Sequence, residues 1–298
     1  APCLLGGSNS LFRFKLAGDP ANYIVRICSR DPASCATEVA VLRLVRATVP
    51  VAEVIHVGRM PGDAALPYVI SAWLDGITLA EALKSRRWAA RALGEAVGHT
   101  LAVIGAHPFP RHGKFDGALN VTPWSVALGL QDGGASPADV ALKYLDHHAG
   151  KHLGDARRAQ VLELLREYDA ASDAHAPARL VHADFNPGNI IIAPAREGES
   201  RVAGVIDWEW AHAGSPLLDV AVLLRPRGLM ADEFESAFGA AFVAAGGELP
   251  AHWRTRAATL DFLNLLELID APAPLEELRL TALRQLLSSL ERQRKENT

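Results

Sequence analysis

Apolar and polar residues alternate with a period of two in LFRFKLAG (residues 11–18) and NYIVRICS (22–29). The GDPAN turn between them makes these runs two antiparallel strands. VAEVIHVGR (51–59) and LPYVISAW (66–73) read as further strands, and residues 33–48 between the two pairs read as a helix. Beyond Asp75-Gly76 the period changes. Residues 78–107 are rich in Ala and Leu and read as one long helical stretch, and the segments near 157–171, 232–245, 254–270 and 275–294 are also helical in pattern. PFPRHGKFDG and QDGGASPAD read as loops. The pattern predicts an α+β chain with a small antiparallel sheet lobe carrying one helix, followed by a larger, mostly helical lobe.

Strand-like sequence interrupts the helical part once. LVHA, NIIIA and RVAGVID are short β-type runs, followed by a loop, AHAGSP, and an apolar helix start, LLDVAVLLR. The first two runs enclose HADFNPGN, a polar cluster between apolar flanks. A short hairpin among helices places loop residues at a site. Asp184 closes one strand, Asn189 opens the next and Asp207 ends the one after. Oxygen-bearing side chains at neighbouring strand ends can converge on a hard cation such as Mg²⁺, or each can cap a turn through local hydrogen bonds.

The chain has 298 residues, 49% of them hydrophobic and 21% charged, which suits one large or two ordinary globular domains. Its formal net charge of -4 divides into +4 over residues 1–111 and -8 over 112–298. The acidic second part excludes a nucleic-acid surface there and favours cationic partners, although solvated acidic helices give the same balance. No apolar run approaches the roughly 18–20 residues that span a bilayer. Three cysteines, Cys3, Cys28 and Cys35, form neither a metal-ligand spacing nor a disulfide framework, so a reduced, cytoplasmic setting is expected.

HADFNPGN, with Asp207 in IDWEWA and then GSPLLDVA, resembles the aminoglycoside phosphotransferase and choline kinase-like family of the protein-kinase-like superfamily. The resemblance implies a two-lobed kinase-like fold. Residues 1–71 would form the nucleotide-binding lobe, 72–77 the hinge, and 78–298 the helical lobe with catalytic loop and acceptor site. It implies ATP as donor, GTP as an alternative donor, Mg²⁺, and a small-molecule hydroxyl as acceptor, in a monomer or weak homodimer. By the same resemblance Asp184 is the catalytic base, Asn189 and Asp207 hold magnesium, and Asp219 braces the catalytic loop. His182 is expected to be a packed support of that loop rather than a proton shuttle.

Phosphoryl transfer needs these residue types because its loose transition state depends on positioning and charge neutralisation more than on covalent help. In the first lobe Glu38 shares a helix stripe with Val41, Leu42 and Val45 and so points inward, where it needs a partner. The resemblance places the phosphate-contacting cation at Arg26 and pairs it with Glu38. Arg here replaces the commoner Lys, a planar fork in place of a point charge. Gly7 and Ser8 in LLGGSNS would cover phosphates, and the backbones of Ala72 and Leu74 in SAWLDG would meet adenine. For the acceptor, Glu209, Asp261, Glu267 and Asp270 are acidic candidates that would suit an aminoglycoside-like cation. Trp208, Trp210, Trp253 and Phe262 either form a platform beside them or pack in the core.

Alternatives are a metabolic kinase of the same fold acting on choline, homoserine or a sugar derivative, and a catalytically silent nucleotide-binding module, against which the intact Asp184, Asn189 and Asp207 speak. A metallohydrolase using His182 and Asp184 with His147, His148, His152 or His212 lacks a tight ligand spacing.

Overall fold

The computed structural model describes residues 3–5, 10–29, 31–62, 65–85, 87–124, 136–171, 177–195, 199–225, 230–270 and 276–296. Its first sheet holds β1 (Cys3–Leu5), β2 (Ser10–Phe14), β3 (Tyr23–Ile27), β4 (Val54–Arg59) and β5 (Pro67–Ala72) in the order β1-β2-β3-β5-β4. Every neighbouring pair is antiparallel. The β2–β3 turn is fixed by Asp19, whose carboxylate accepts the Ala21 N–H and the Tyr23 hydroxyl at 2.8 and 2.6 Å. Helix α1 (Ser34–Val45) follows β3, and the expected four strands and one helix are all present.

The expected long helix over 78–107 is two. After the short strand β6 (Ile77–Thr78), α2 (Leu79–Ser85) stops and α3 (Ala90–Gly105) starts afresh; the buried Trp88 lies in the break and fills the core there. The loop reading of PFPRHGKFDG is also corrected, since β7 (Pro108–Phe109) and β8 (Gly113–Phe115) lie within it and β9 (Val121–Thr122) follows. Then come α4 (Pro137–Asp146), α5 (His148–Leu153) and α6 (Asp155–Ala171). The end of QDGGASPAD opens α4: the Ser136 hydroxyl accepts the Asp139 N–H while the Asp139 side chain accepts the Ser136 N–H, a reciprocal cap with Pro137 in the first turn.

The remaining strands are β10 (Ala178–Val181), β11 (Ile190–Pro194), β12 (Ser200–Val205) and β13 (His212–Gly214), followed by α7 (Leu217–Leu224), α8 (Asp232–Ala244), α9 (Trp253–Asp270) and α10 (Glu276–Glu296). LVHA and NIIIA do not pair as one hairpin. β10 joins β7 and β13 in a sheet ordered β7-β10-β13-β8-β9, whereas β11 joins β12 and β6. The loop between β10 and β11 therefore crosses from one sheet to another, which leaves its polar side chains free of a ladder.

The largest core is continuous from α1 into the second lobe: Val41, Leu42 and Val45 pack in one cluster with Leu93, Val97, Leu101, Phe185, Ile190, Trp208 and Phe238. A second core fills the space among α4, α5, α6, α9 and α10. No described helix is long and apolar enough to cross a membrane.

Helices α3 and α8 touch at backbone level. A methyl on Gly94 would lie 2.4 Å from the Phe234 carbonyl oxygen, and one on Gly98 would lie 2.3 Å from that of Phe238. Gly239 of α8, by contrast, faces its nearest atom, in Leu249, at 3.6 Å. Alanine gains about 1 kcal/mol over glycine in a helix, but a clash with immovable backbone costs about 1–3 kcal/mol. Gly98→Ala is therefore expected to lower the urea unfolding free energy, and Gly239→Ala to raise it by about 0.5–1 kcal/mol. Equal effects at the two positions would contradict the close packing.

Candidate active site

The loop that crosses between the sheets is held from behind by three groups. Asp219, in the first turn of α7 and wholly buried, accepts the His182 and Ala183 N–H groups, one on each carboxylate oxygen and both at 2.8 Å. Asn264 of α9 donates to the Ala183 carbonyl at 3.2 Å. Ala183 has φ +66°, a left-handed conformation that costs an alanine energy, and the peptide units on both sides of it are thus pinned. Burial drives the Asp219 carboxyl up to about 7, against the lowering effect of its two backbone donors.

His182 is the third. Its Nδ1 accepts the Asp184 N–H at 3.2 Å and its Nε2 donates to the Ile206 carbonyl at 3.0 Å, which selects the neutral tautomer protonated at Nε2. The ring is buried against Trp208, with centroids 4.5 Å apart, and burial depresses its pKa to about 4. Both nitrogens are engaged, so the ring carries structure and has no free nitrogen for a proton shuttle.

Asp184 projects from this support. Asn186 donates to its Oδ1 at 2.8 Å and Asn189 to its Oδ2 at 2.7 Å. Asn186 also accepts the Gly188 N–H at 2.7 Å, closing an Asx turn. Burial raises the Asp184 carboxyl above the usual range and the nearby Asp207 charge adds to this, while the Asn186 and Asn189 donors and the Arg225 charge oppose it. The Asn189 carbonyl accepts the Ile206 N–H at 3.0 Å, which brings the end of β12 beside the loop. Asp207, two residues beyond β12, has φ +68° and a half-exposed carboxylate.

That carboxylate meets the first lobe. Arg26 of β3 is paired with Glu38 of α1, and another of its nitrogens lies 3.4 Å from Asp207 Oδ1. The Arg26 and Glu38 side chains are 15% and 7% exposed, so the pair is buried and Glu38 points inward as its helix stripe requires. Asp184, Asn189, Asp207, Arg26 and Glu38 are thus gathered into one constellation from four parts of the chain: the β10–β11 loop, the turn after β12, β3 and α1.

Other sequence candidates fall differently. Gly7 and Ser8 lie outside the described residues. The Ala72 N–H is spent on the Glu53 carbonyl at 2.9 Å, so only other backbone groups at the hinge can serve a ligand. Leu74 packs onto Gly204, where a methyl would approach its Cδ1 to 2.3 Å. Glu209 is half-buried on the side facing the first lobe, where its charge acts on Cys28. Asp261, expected to face an acceptor, is buried and takes an ion pair from Arg225, with Nε 2.9 Å from Oδ2. Glu267 lies 3.5 Å from Lys114 Nζ, and of the Asp270 side chain nothing is described. Trp208 and Phe262 are core residues with no exposed surface; Trp253 is half-buried and Trp210 is 38% exposed.

Sequence reasoning missed Asn186, Arg225, Asn264 and Lys114. The NPG turn signal marks the first, and a polar residue inside an apolar helical run marks Asn264. Nothing in the sequence singles out Arg225 or Lys114. Among the described residues, no group of three His, Cys, Asp or Glu side chains is arranged to hold a metal ion, which leaves the metallohydrolase reading without support.

A profile of the phosphotransferase enzyme family matches residues 2–259. Among solved structures the chain is similar to a thermostable mutant of aminoglycoside phosphotransferase APH(4)-Ia in ternary complex with AMP-PNP and hygromycin B, at 20% identity and TM-score 0.68, over 97% of this chain and 91% of that one. It is similar also to the GDP complex of aminoglycoside 2'-phosphotransferase-IIIa, at 15% identity and TM-score 0.71, over 98% and 92%. Among curated proteins it matches acyl-CoA dehydrogenase family member 11 of Gallus gallus, 36% identical over 91 residues, and probable acyl-CoA dehydrogenase IBR3 of Arabidopsis thaliana, 36% identical over 73 residues. Each match takes in 24% of this chain but only 11% and 8% of those proteins. With most of its length matched by the profile, the chain belongs to the phosphotransferase enzyme family, and its two-lobed fold is that of the solved aminoglycoside phosphotransferases.

Proposed function

We propose that the chain transfers the γ-phosphate of ATP, or of GTP as an alternative donor, to a hydroxyl of a small molecule, with Asp184 as the base. The observation that carries this reading is the convergence of a buried, pinned carboxylate with Asn189, Asp207 and the Arg26–Glu38 pair. Each Asp184 oxygen accepts one side-chain N–H and retains a lone pair for an acceptor hydroxyl. As that hydroxyl attacks phosphorus its proton passes to Asp184, whose raised pKa makes it a better proton acceptor than a solvated aspartate. The solved relatives carry AMP-PNP, ADP and GDP, which supports a nucleotide donor here.

The donor set suits magnesium. Asn189 turns its amide nitrogen toward Asp184, which leaves its oxygen on the opposite side, and Asp207 adds one carboxylate; magnesium takes one or two such ligands and fills its shell with phosphate and water. Asn189 and Asp207 would hold the ion, and when bound it neutralises charge on the phosphates. Arg26, fixed between Glu38 and Asp207, contributes positive charge on the same side.

Two solved relatives hold hygromycin B and kanamycin, which supports an aminoglycoside-like acceptor. The α9 carboxylates support the other alternative. Asp261 and Glu267 are already matched by Arg225 and Lys114, an arrangement suited to an acceptor with less positive charge, as in a metabolic kinase. Nucleotide turnover with kanamycin, and with neutral or zwitterionic alcohols, separates these readings. Nucleotide binding without turnover on any of these hydroxyl compounds would favour a silent nucleotide-binding module.

Asp184→Asn is expected to lower phosphoryl transfer about 10²–10⁴-fold while leaving nucleotide affinity largely intact, as read by single-turnover transfer and calorimetry. Near-normal transfer would remove Asp184 from its role.

The His182 ring gives a stability test. Its pKa falls from 6.5 to about 4 on folding, so between these values the unfolded chain binds a proton that the native chain refuses. Its contribution is present above pH 6.5 and lost as pH falls toward 4, with a limiting slope of about 1.4 kcal/mol per pH unit. His212 acts in the same direction and Asp219, raised to about 7, in the opposite one. The stability difference between wild type and His182→Gln isolates the single ring and is expected to shrink on acidification. A difference independent of pH would contradict the neutral assignment.

A further inference from the structure

Beside the Arg26–Glu38 pair lies a second pairing across the same interface. Cys28 follows Arg26 by two residues, the same-face step of an extended strand, and Cys35 precedes Glu38 by three, the same-face step of a helix. Strand and helix therefore present two side chains each to one another in matching order, cation to carboxylate and thiol to thiol. Both thiols are 2% exposed and share a small cluster with Val39 and Val69. The two thiols are neighbours that bias each other's ionisation, and the Arg26 charge also acts on Cys28.

We propose that Cys28 and Cys35 are a modification site, a dithiol that closes reversibly to a disulfide by exchange with low-molecular-weight disulfides and thereby shifts the Arg26–Glu38 pair. The neighbouring Cys35 thiol, with the Arg26 charge, lowers the Cys28 thiol and so favours its thiolate, whereas Cys28 and burial raise Cys35, which keeps its proton. That is the division of labour exchange requires. Because both thiols are buried, the exchange runs through local opening at the start of α1; the Cys28 thiolate then attacks one sulfur of the small disulfide and expels a thiolate. Cys35 then gives up its proton and attacks Cys28 in the mixed disulfide, expelling the second. Two protein thiols and one small disulfide become one protein disulfide and two small thiols, and the electrons reduce the small disulfide. The new bond draws the start of α1 toward the end of β3 and removes the anionic sulfur beside Arg26, so the guanidinium and Glu38 must readjust.

The effect on nucleotide rests on the proposed function; formation of the disulfide does not. In a Cys3→Ser background, the protein is equilibrated with graded mixtures of oxidised and reduced glutathione. The Cys28–Cys35 crosslink is read as a two-dalton loss by peptide mass spectrometry, and ATP binding by calorimetry before and after. The expected result is an intramolecular crosslink that forms in the oxidised mixtures, lowers ATP affinity at least fivefold, and is reversed in both respects by dithiothreitol. Cys28→Ser and Cys35→Ser are each expected to abolish the crosslink, and with it the response to oxidation. Free thiols in the most oxidised mixture, or a crosslink with unchanged affinity, would overturn the proposal. Failure of the reduced protein to bind ATP would count against the proposed function, and the mass measurement would still decide whether the disulfide forms.

Discussion

Arg26 is a cation taken largely out of water, and a buried guanidinium must be matched by anions or it destabilises the fold. Its two partners come from different parts of the chain. Glu38 lies on the helix just after β3, and Asp207 lies 181 residues beyond Arg26, past the end of β12. Matching this charge fixes how far α1 tilts toward the first sheet, and it sets the first lobe against the strand end that carries Asp207. The continuous core beneath, with Val41, Leu42 and Val45 of α1 packed among residues of α3 and β11, holds that relation from the apolar side.

The other half of the site is held by satisfied polarity rather than by apolar packing. A crossing between two sheets has no ladder to occupy its amides, so buried N–H groups at His182 and Ala183 need acceptors from elsewhere. Asp219 supplies both, Asn264 takes the carbonyl side, and the neutral His182 ring links the Asp184 amide to Ile206. The result is a rigidly held Asp184 carboxylate beside Asn189 and Asp207, with positive backbone angles at Ala183 and Asp207 maintained by their surroundings. Removing one of these acceptors leaves a buried donor unmatched, which costs about 1–3 kcal/mol and loosens the Asp184 carboxylate.

Strands β2 to β5 and helix α1 were legible because each alternates or repeats on one buried face, and Glu38 could be turned inward from its stripe alone. Asp184, Asn189 and Asp207 stood out as polar residues at the ends of apolar runs. What the pattern could not carry is pairing. Periodicity tells which face of β10 is buried but not that its neighbours are β7 and β13, and two- or three-residue strands such as β13 are too short to alternate. The break near Trp88 was hidden because the helical period resumes in phase on either side. Asp261 and Glu267 were read as available charges because a helix face says nothing of the cation opposite, and Arg225 and Lys114 arrive from distant segments. Ser136 and Asp139 carry the cap that opens α4, but they sit at the end of a Gly-rich run that reads as loop, and α4 was not expected.

The central claim is that Arg26 and Glu38 act as one unit in positioning nucleotide. A double-mutant cycle of Arg26→Ala and Glu38→Ala, read as ATP affinity by calorimetry with magnesium present, tests it most directly. Each single change is expected to weaken binding, and the double variant to lose less than the sum of the two, with a coupling of about 1 kcal/mol or more. Additive losses would show that the two residues act separately and would contradict the account.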